Sequence, residues 1–430
     1  MIKKIFLSLI VFMSFQQSFT QESLIVGYLP TYRFEVSDQI DFCKLTHLNI
    51  CFISPNKKGV FPKVDSLREM LIIIREKNPN IKINISLAGG ALLKEEAIVW
   101  KKFVDIPKNR PILIKSIIDY VEKYNFDGVD MDLEWRNVTK GYSPFVIELK
   151  KALVEKNKAF TVAFPAIKRY KYVTDEALAT FDFINIMAYD ESGSWAPKDA
   201  KQHSSYEFAE KSIFFWRDIV GIPAEKLTLG LPFYAYDFRN PNRTKSFKFK
   251  EIVAMHPDSI YQDSIGKIYY NGIPTIKKKV EFATKTVAGV MVWELGQDST
   301  DQFSLLTAIH HKIKELGANN TLSDCDISKK DLYAFGLKTF KESIVFKTLE
   351  KEKLFSITTD DLKNVKVEVF NKKGRKIKLR TYKKYKTRYY RTRKLWKGTY
   401  VLKISNDKYS FKKKLILAKK KKYKKTGRKR

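Results

Sequence analysis

The sequence predicts an α/β protein, a closed (β/α)8 barrel followed by a small β-sandwich-like module. Eight short apolar segments alternate with longer segments of mixed polarity between residues 24 and 318. The short segments are apolar along nearly their whole length, which is typical of parallel strands covered by helices on both faces of the sheet. After Gly317 the pattern changes to short strand-like runs separated by turn residues, which favours a separate β module.

The eight predicted strands leave room for a helix between most neighbours. They cover residues 24–30, 47–55, 81–90, 126–135, 160–166, 181–190, 227–236 and 288–296. Before the fourth strand, Ile114, Ile117, Ile118 and Val121 recur at helical spacing. Eight such units fit a closed TIM barrel, and a doubly wound open sheet is the alternative. The segment 237–287 is longer than one helix needs, which predicts a small insertion with YYNG at 269–272 as a turn.

The ends of the chain carry segments that we place outside the barrel. Lys3 and Lys4 precede an apolar run at 5–15 that is too short to span a bilayer, so residues 1–20 are interpreted as a signal peptide, which predicts a secreted protein. The predicted domains are a signal peptide at 1–20, the barrel at 21–318, a linker at 319–329, the basic β module at 330–418 and a basic disordered tail at 419–430.

Positive charge is concentrated in the C-terminal quarter of the chain. Residues 341–430 hold 34 of the 81 Lys and Arg residues but only 7 of the 47 Asp and Glu residues, so they supply 27 of the net charge of +34. Because tyrosines are interleaved with these basic residues, the module is a candidate for binding polyanions or a cell surface. The alternatives are an aromatic platform that binds polysaccharide and a solvated basic face with no ligand.

The cysteines suggest neither a disulfide framework nor a metal centre. Three cysteines are too few for a disulfide-rich fold, and a bridge between Cys43 and Cys51 remains open. No group of Cys and His residues has the spacing of metal ligands. The sequence therefore predicts no metal and no cofactor.

The fourth predicted strand, FDGVDMDLEW, carries a row of acids. Asp130, Asp132 and Glu134 occupy alternate positions, and therefore one face of the strand, while the apolar residues between them face the covering helices. Burial and mutual repulsion raise the pKa values of such carboxyl groups. Glu134, at the C-terminal end of the strand, is the predicted proton donor, and Asp130, the deepest, is the structural partner. A metal site or a solvated acidic loop are the alternatives.

Several motifs of the barrel resemble glycoside hydrolase family 18, which contains chitinases and endo-β-N-acetylglucosaminidases. DGVDMDLE at 127–134 closely resembles the DxxDxDxE signature of this family. The other matching motifs are GYLP at 27–30, LTHLNICF at 45–52, MAYD at 187–190, GSW at 193–195, GLPFY at 230–234 and Trp293 in VMVWELGQD. The third-strand pattern of the family is loosened to SLAGG at 86–90, so Ser86 receives no predicted role.

The resemblance implies a retaining reaction in which the substrate supplies its own nucleophile. Glu134 would protonate the glycosidic oxygen, and Asp132 would hold the N–H of the 2-acetamido group and stabilise the positive charge of an oxazolinium intermediate. Asp130 and Tyr189 complete the implied catalytic set, with Tyr189 hydrogen-bonded to the acetamido oxygen. The residues implied to contact the sugar are Trp293, Asp190, Met187, Tyr28, Trp135 and Tyr234.

The sequence as a whole thus predicts a secreted, monomeric glycosidase that acts on polymers containing β-1,4-linked N-acetylglucosamine. An endo-β-N-acetylglucosaminidase acting on N-glycan cores is one alternative, because both activities occur in the family that the motifs resemble. A secreted carbohydrate-binding protein without turnover is the other alternative. Glu134 is present in this chain, which favours the enzyme.

Overall fold

The computed structural model describes residues 22–64, 66–240, 242–318, 341, 344–349, 353–359, 362–393, 395–406 and 409–417. The predicted signal peptide, linker and basic tail lie outside these residues. The chain divides into two compact units, one built mainly from the segment before residue 318 and one that contains the strands after residue 344.

The described residues up to 318 contain twelve β-strands and nine α-helices. The strands are β1 (Leu24–Pro30), β2 (His47–Ile53), β3 (Lys82–Ala88), β4 (Gly128–Asp132), β5 (Ala159–Pro165), β6 (Phe183–Met187), β7 (Leu227–Pro232), β8 (Tyr234–Asp237), β9 (Lys245–Lys248), β10 (Ser264–Ile265), β11 (Ile268–Tyr269) and β12 (Gly289–Trp293). The helices are α1 (Leu67–Lys77), α2 (Lys94–Asp105), α3 (Arg110–Tyr124), α4 (Tyr142–Glu155), α5 (Asp175–Ala179), α6 (Tyr206–Phe214), α7 (Phe249–Met255), α8 (Ile273–Thr286) and α9 (Leu305–Glu315).

Eight parallel strands close the predicted barrel. Their order around it is β1, β2, β3, β4, β5, β6, β7 and β12, and β12 pairs again with β1. The strands are buried at nearly every position because helices cover the outside and side chains fill the inside. The closed barrel confirms the predicted fold class, and the alternative of an open doubly wound sheet is wrong. None of the described helices is long and apolar enough to cross a membrane.

Helix α3 shows how the apolar pattern determines the packing. Ile117, Ile118 and Val121 are buried, as their helical spacing predicts, and Leu113 adds to the same face. Asn125 follows the helix in the left-handed conformation, with φ of 56°, and its N–H bonds back to the carbonyl oxygens of the last turn. This cap turns the chain directly into β4, the strand that carries the acids.

The predicted insertion lies between β7 and β12. Strands β8 to β11 form a four-stranded antiparallel sheet in the order β10, β11, β8, β9, and α7 follows β9. The YYNG segment is the connection from β11 into α8, with Gly272 at the start of that helix. Because β8 begins two residues after β7 ends, the insertion starts at the C-terminal edge of the barrel.

The second unit is a β-sandwich in its described residues, as predicted. Its strands are β13 (Val345–Leu349), β14 (Leu354–Thr358), β15 (Lys366–Phe370), β16 (Lys376–Ile377), β17 (Thr381–Lys384), β18 (Thr387–Arg391), β19 (Gly398–Ser405) and β20 (Ser410–Leu417). They form two antiparallel sheets, in the orders β13-β14-β18-β17 and β16-β15-β19-β20. Phe355 and Tyr390 of the first sheet share one apolar core with Val369, Leu402 and Ile404 of the second.

The structure also answers the open question about the cysteines. Cys51 is a buried free thiol in β2, whereas Cys43 is disulfide-bonded. The bridge between Cys43 and Cys51 that the sequence left open therefore does not form. Cys51 instead packs in an apolar cluster that also contains Tyr28 and Met291.

Candidate active site

The acid row lies on the inner face of β4, as the alternation predicts. Asp130 and Asp132 are in the strand, and Glu134 follows it with extended backbone angles, φ of −120° and ψ of 162°. All three side chains are buried. Val129 and Met131 point the other way and are fully covered. The strand therefore presents three carboxyl groups to the interior of the barrel, with Glu134 nearest to its C-terminal face.

Asp130 is held by a set of donors from four different strands. Its Oδ2 accepts hydrogen bonds from the hydroxyl groups of Tyr28 and Ser86, at 2.8 and 2.6 Å. Its Oδ1 accepts from the Thr161 hydroxyl at 2.6 Å and from Asn185 Nδ2 at 3.4 Å. Burial raises the pKa of Asp130, and these hydrogen bonds act in the opposite direction by favouring the carboxylate. So many fixed partners make Asp130 a structural anchor of the site.

Asp132, in contrast, has a carboxyl oxygen without a partner. Its Oδ1 is buried and makes no hydrogen bond to any residue that the structure describes. Burial raises the pKa of Asp132 well above its usual range, and repulsion by Glu134 and then Asp130 raises it further. Buried acceptors normally have a donor. A ligand N–H that reached this oxygen would therefore satisfy it.

Glu134 has the environment of a proton donor. Burial, followed by repulsion from Asp190, raises its pKa to about 7, so the group is still largely protonated where an ordinary glutamic acid has ionised. Gly90, after β3, makes room for the carboxyl group, since a Cβ atom at this position would lie 2.3 Å from Glu134 Oε1. A side chain at residue 90 would therefore displace the acid.

The segment after β6 brings two more polar side chains to the same end of the barrel. Burial raises the pKa of Tyr189 well above its usual range, so its hydroxyl stays a donor, and its only described partner is Met291 Sδ at 3.8 Å. Asp190 has a φ of 62° and accepts a hydrogen bond from the Tyr234 hydroxyl. Tyr189 belongs to the same apolar cluster as Tyr28, whose hydroxyl binds Asp130, so it lies close to the acid row.

Aromatic rings form the floor of the site. Trp293 ends β12 and stacks on Phe52, with ring centroids 5.5 Å apart and planes 23° from parallel. The Tyr28 ring meets Trp293 edge-on at 5.8 Å. Trp135 and Trp195 are 53% and 60% exposed, so their faces are available to a ligand.

The structure brings the predicted catalytic and sugar-binding residues to one end of the barrel, with one correction. Tyr28 was expected to contact the sugar, but it is buried and donates its hydroxyl to Asp130, so it supports the acid row instead. Met187 is half-buried and packs against the apolar cluster that contains Tyr28 and Tyr189. The Tyr234 hydroxyl is already bound to Asp190. Trp135 follows Glu134 directly and lies edge-on to Tyr170.

Sequence reasoning missed the residues that hold Asp130. Ser86 and Thr161 lie opposite Asp130 in the register of the neighbouring strands β3 and β5, and Asn185 comes from β6. Phe52 was missed as the partner of Trp293. For Ser86, Thr161 and Asn185, the signal in the sequence was a polar residue in an otherwise apolar strand. Which residue each of them bonds depends on the sheet register, which a single sequence does not provide.

Comparisons with known proteins bear directly on this site. The structure resembles the GH18 chitinase ChiB from the chitin utilization locus of Flavobacterium johnsoniae, with 45% identity, a TM-score of 0.69, and coverage of 71% of this chain and 100% of that chain. It also resembles a chitinase from Bacteroides thetaiotaomicron, with 28% identity, a TM-score of 0.60, and coverage of 70% and 99%. Probable chitinase 2 of Drosophila melanogaster is 24% identical over 289 residues, which are 54% of this chain and 59% of that relative.

Two families match separate parts of the chain. Residues 351–418 match the Secretion system C-terminal sorting domain, which indicates export from the cell or to its surface. Residues 24–298 match Glycosyl hydrolases family 18, and this match contains all eight barrel strands and the acid row. The chain therefore belongs to glycosyl hydrolases family 18 and is a glycoside hydrolase.

Proposed function

We propose that the protein is a retaining glycosidase that hydrolyses β-1,4-linked N-acetylglucosamine polymers, chitin or chitooligosaccharides, by substrate-assisted catalysis. One observation supports this most strongly: a buried, unpartnered oxygen of Asp132 lies beside Glu134, whose pKa is about 7. The first group suits an acetamido N–H, and the second suits a leaving glycosidic oxygen. The substrate is supported by the likeness to proteins described as chitinases.

The proposed reaction has two steps. Glu134 donates its proton to the glycosidic oxygen while the acetamido oxygen of the substrate attacks the anomeric carbon, the glycosidic bond breaks, and an oxazolinium ion forms. Water then attacks the same carbon from the opposite side, Glu134 takes the proton of that water, and the ring of the intermediate opens. Two displacements give net retention. Asp132 accepts the acetamido N–H, and Tyr189 donates to the acetamido oxygen.

The proposed reaction requires one particular distribution of protons between Asp132 and Glu134. Both have raised pKa values, because both are buried and the charge of Glu134 opposes ionisation of Asp132. The reaction needs the proton on Glu134 and the negative charge on Asp132, next to the developing cation. Asp130 stays out of the chemistry because four donors fix it.

This arrangement predicts a bell-shaped dependence of kcat/KM on pH. The rate should fall as pH rises through about 7, since Glu134 then loses the proton that it must donate. It should also fall at low pH, where the interacting pair of Asp132 and Glu134 takes up its second proton and the site loses its negative charge. Initial rates on a chitooligosaccharide between about pH 4 and 9 would test this. Full activity at the alkaline end of that range would contradict the assignment of Glu134.

The substrate is tested by incubating the full chain with chitin oligomers and, separately, with a high-mannose glycopeptide, followed by mass spectrometry. Release of di-N-acetylchitobiose from the oligomers is the expected result. Cleavage confined to the glycan core would instead identify an endo-β-N-acetylglucosaminidase. Binding of both ligands without any product would identify a carbohydrate-binding protein, and the proposed reaction would be wrong.

The domain organisation remains a proposal. The barrel at 21–318 would carry the activity, and the module at 330–418 would serve export, which the match to a sorting domain over 351–418 supports. The predicted binding of polyanions by this module and the predicted monomeric state stay predictions.

A further inference from the structure

Lys279, on α8, is completely buried in a cage of neutral acceptors. Its Nζ donates to the backbone oxygen of Ser204 at 2.7 Å, to the Ser204 hydroxyl at 2.8 Å and to Asn271 Oδ1 at 2.8 Å. These three bonds use all three N–H groups of the ammonium. Burial lowers the pKa of Lys279 to about 7, with partial opposition from the charges of Asp263 and Glu207. A buried cation without a bonded carboxylate is costly, and such groups concentrate at functional sites.

Ser204 connects this lysine to the segment that carries two residues of the active site. Its hydroxyl donates to the backbone oxygen of Ala188 at 2.7 Å, and Ala188 directly precedes Tyr189. A second bond joins the same two segments, from the Glu191 N–H to the His203 carbonyl oxygen at 3.0 Å. The chain after β6 is thus hydrogen-bonded at two points to residues 203–204, and Lys279 binds Ser204.

His203 extends the same connection to Asp190. Its ring is completely buried, its Nδ1 lies 3.7 Å from Asp190 Oδ1, and its ring centroid is 5.0 Å from that of Tyr234. Burial lowers the pKa of His203, and the nearby charge of Lys279 lowers it further, while Asp190 opposes both effects. The neutral His203 ring therefore lies next to the Asp190 carboxylate, whose charge raises the pKa of Glu134.

We propose that Lys279 is a positioning residue for hydrolysis: it holds Ser204, and Ser204 with its neighbour His203 fixes Tyr189 and Asp190 against the substrate. The inference rests on the function proposed above, in which Tyr189 donates to the acetamido oxygen and Glu134, whose pKa the charge of Asp190 raises, donates the proton. Both residues follow the end of β6, and Asp190 takes a left-handed backbone conformation, so strand pairing does not fix them. Misplacement of such groups by 1 Å costs about 100-fold in rate.

The test compares two variants and a control in the full chain. Lys279→Met keeps the length of the side chain and removes its donors, and Ser204→Ala removes the hydroxyl that links Lys279 to Ala188. Both should lower kcat on a chitooligosaccharide about 10- to 100-fold and change KM by less than about 3-fold, because the displaced groups act mainly in the transition state. Lys285→Met, on the exposed face of α8, should leave both constants unchanged. Folded variants with wild-type kcat would overturn the proposal.

Hydrogen exchange measured by mass spectrometry gives a second readout that does not need activity. Residues 188–204 should exchange faster in both variants, while β4 and β5 keep their protection. Unchanged exchange in that segment would overturn the proposal, even if activity fell. If Lys279→Met does not fold, Ser204→Ala carries the test alone, since it deletes one hydroxyl group. An inactive wild type with the expected exchange response would refute the proposed function and still support the anchoring by Lys279.

Discussion

Replacing Glu134 with Gln should lower the hydrolysis of chitooligosaccharides by about 100- to 10,000-fold and leave their binding nearly unchanged. The amide keeps the shape of the side chain in the space beside Gly90, but it has no proton to give to the glycosidic oxygen. The variant should be at least as stable as the wild type, because the buried carboxyl group is replaced by a group that never ionises. Product analysis by mass spectrometry and titration calorimetry with the same oligomer measure the two effects.

A matched change elsewhere separates loss of the acid from a general effect of the substitution. Glu95→Gln alters an exposed carboxylate in the first turn of α2 and should leave turnover unchanged. If Glu134→Gln retains wild-type turnover, Glu134 is not the proton donor. If the wild type already binds the oligomer without cleaving it, the carbohydrate-binding alternative is correct.

The fold and the acid row were predictable because both depend on local periodicity. Apolar strands alternating with helices imply parallel pairing, and eight such units close into a barrel. Likewise, period-2 alternation in residues 128–134 assigns Asp130, Asp132 and Glu134 to one face, and apolar residues to the other, without any tertiary information. Burial of the whole strand then raises the pKa values of the three carboxyl groups.

The supports of the site were not predictable because they depend on register. Ser86 received no role, since the sequence around it departs from the pattern of the family. The structure nevertheless places Ser86 opposite Asp130 and bonded to it. Two residues later, Ala88 takes a φ of 76°, a conformation that glycine adopts more easily.

Tyr28, His203 and Lys279 illustrate a second limit. A tyrosine in a strand indicates a ring that faces the barrel, but not that its hydroxyl reaches Asp130 from β1. Lys279 lies in a helix rich in lysines, where a lysine ordinarily faces solvent, and only the packing of α8 beneath residues 203–204 buries it. The bonds from Tyr28 to Asp130 and from Lys279 to Ser204 join residues 102 and 75 positions apart, and local patterns carry no information about them.

Replacing Asp132 with Asn should lower kcat by about 100- to 1,000-fold, which is the effect of removing one group that stabilises transition-state charge. The amide oxygen can still accept the acetamido N–H, so KM should change little. What is lost is the negative charge beside the developing oxazolinium ion. Asp119→Asn is the control, because it changes an exposed carboxylate on α3 that is paired with the exposed Lys115.

The pH dependence of the same variant distinguishes loss of charge from loss of geometry. The acid limb of the profile should disappear, because it reports protonation of Asp132, which is no longer ionisable. The alkaline limb should remain near pH 7, because burial and the charge of Asp190 raise the pKa of Glu134. If Asp132→Asn keeps wild-type kcat, or keeps the acid limb, the charge of Asp132 is not what stabilises the intermediate. A slow variant with only the alkaline limb would show that Glu134 donates the proton while Asp132 supplies the charge.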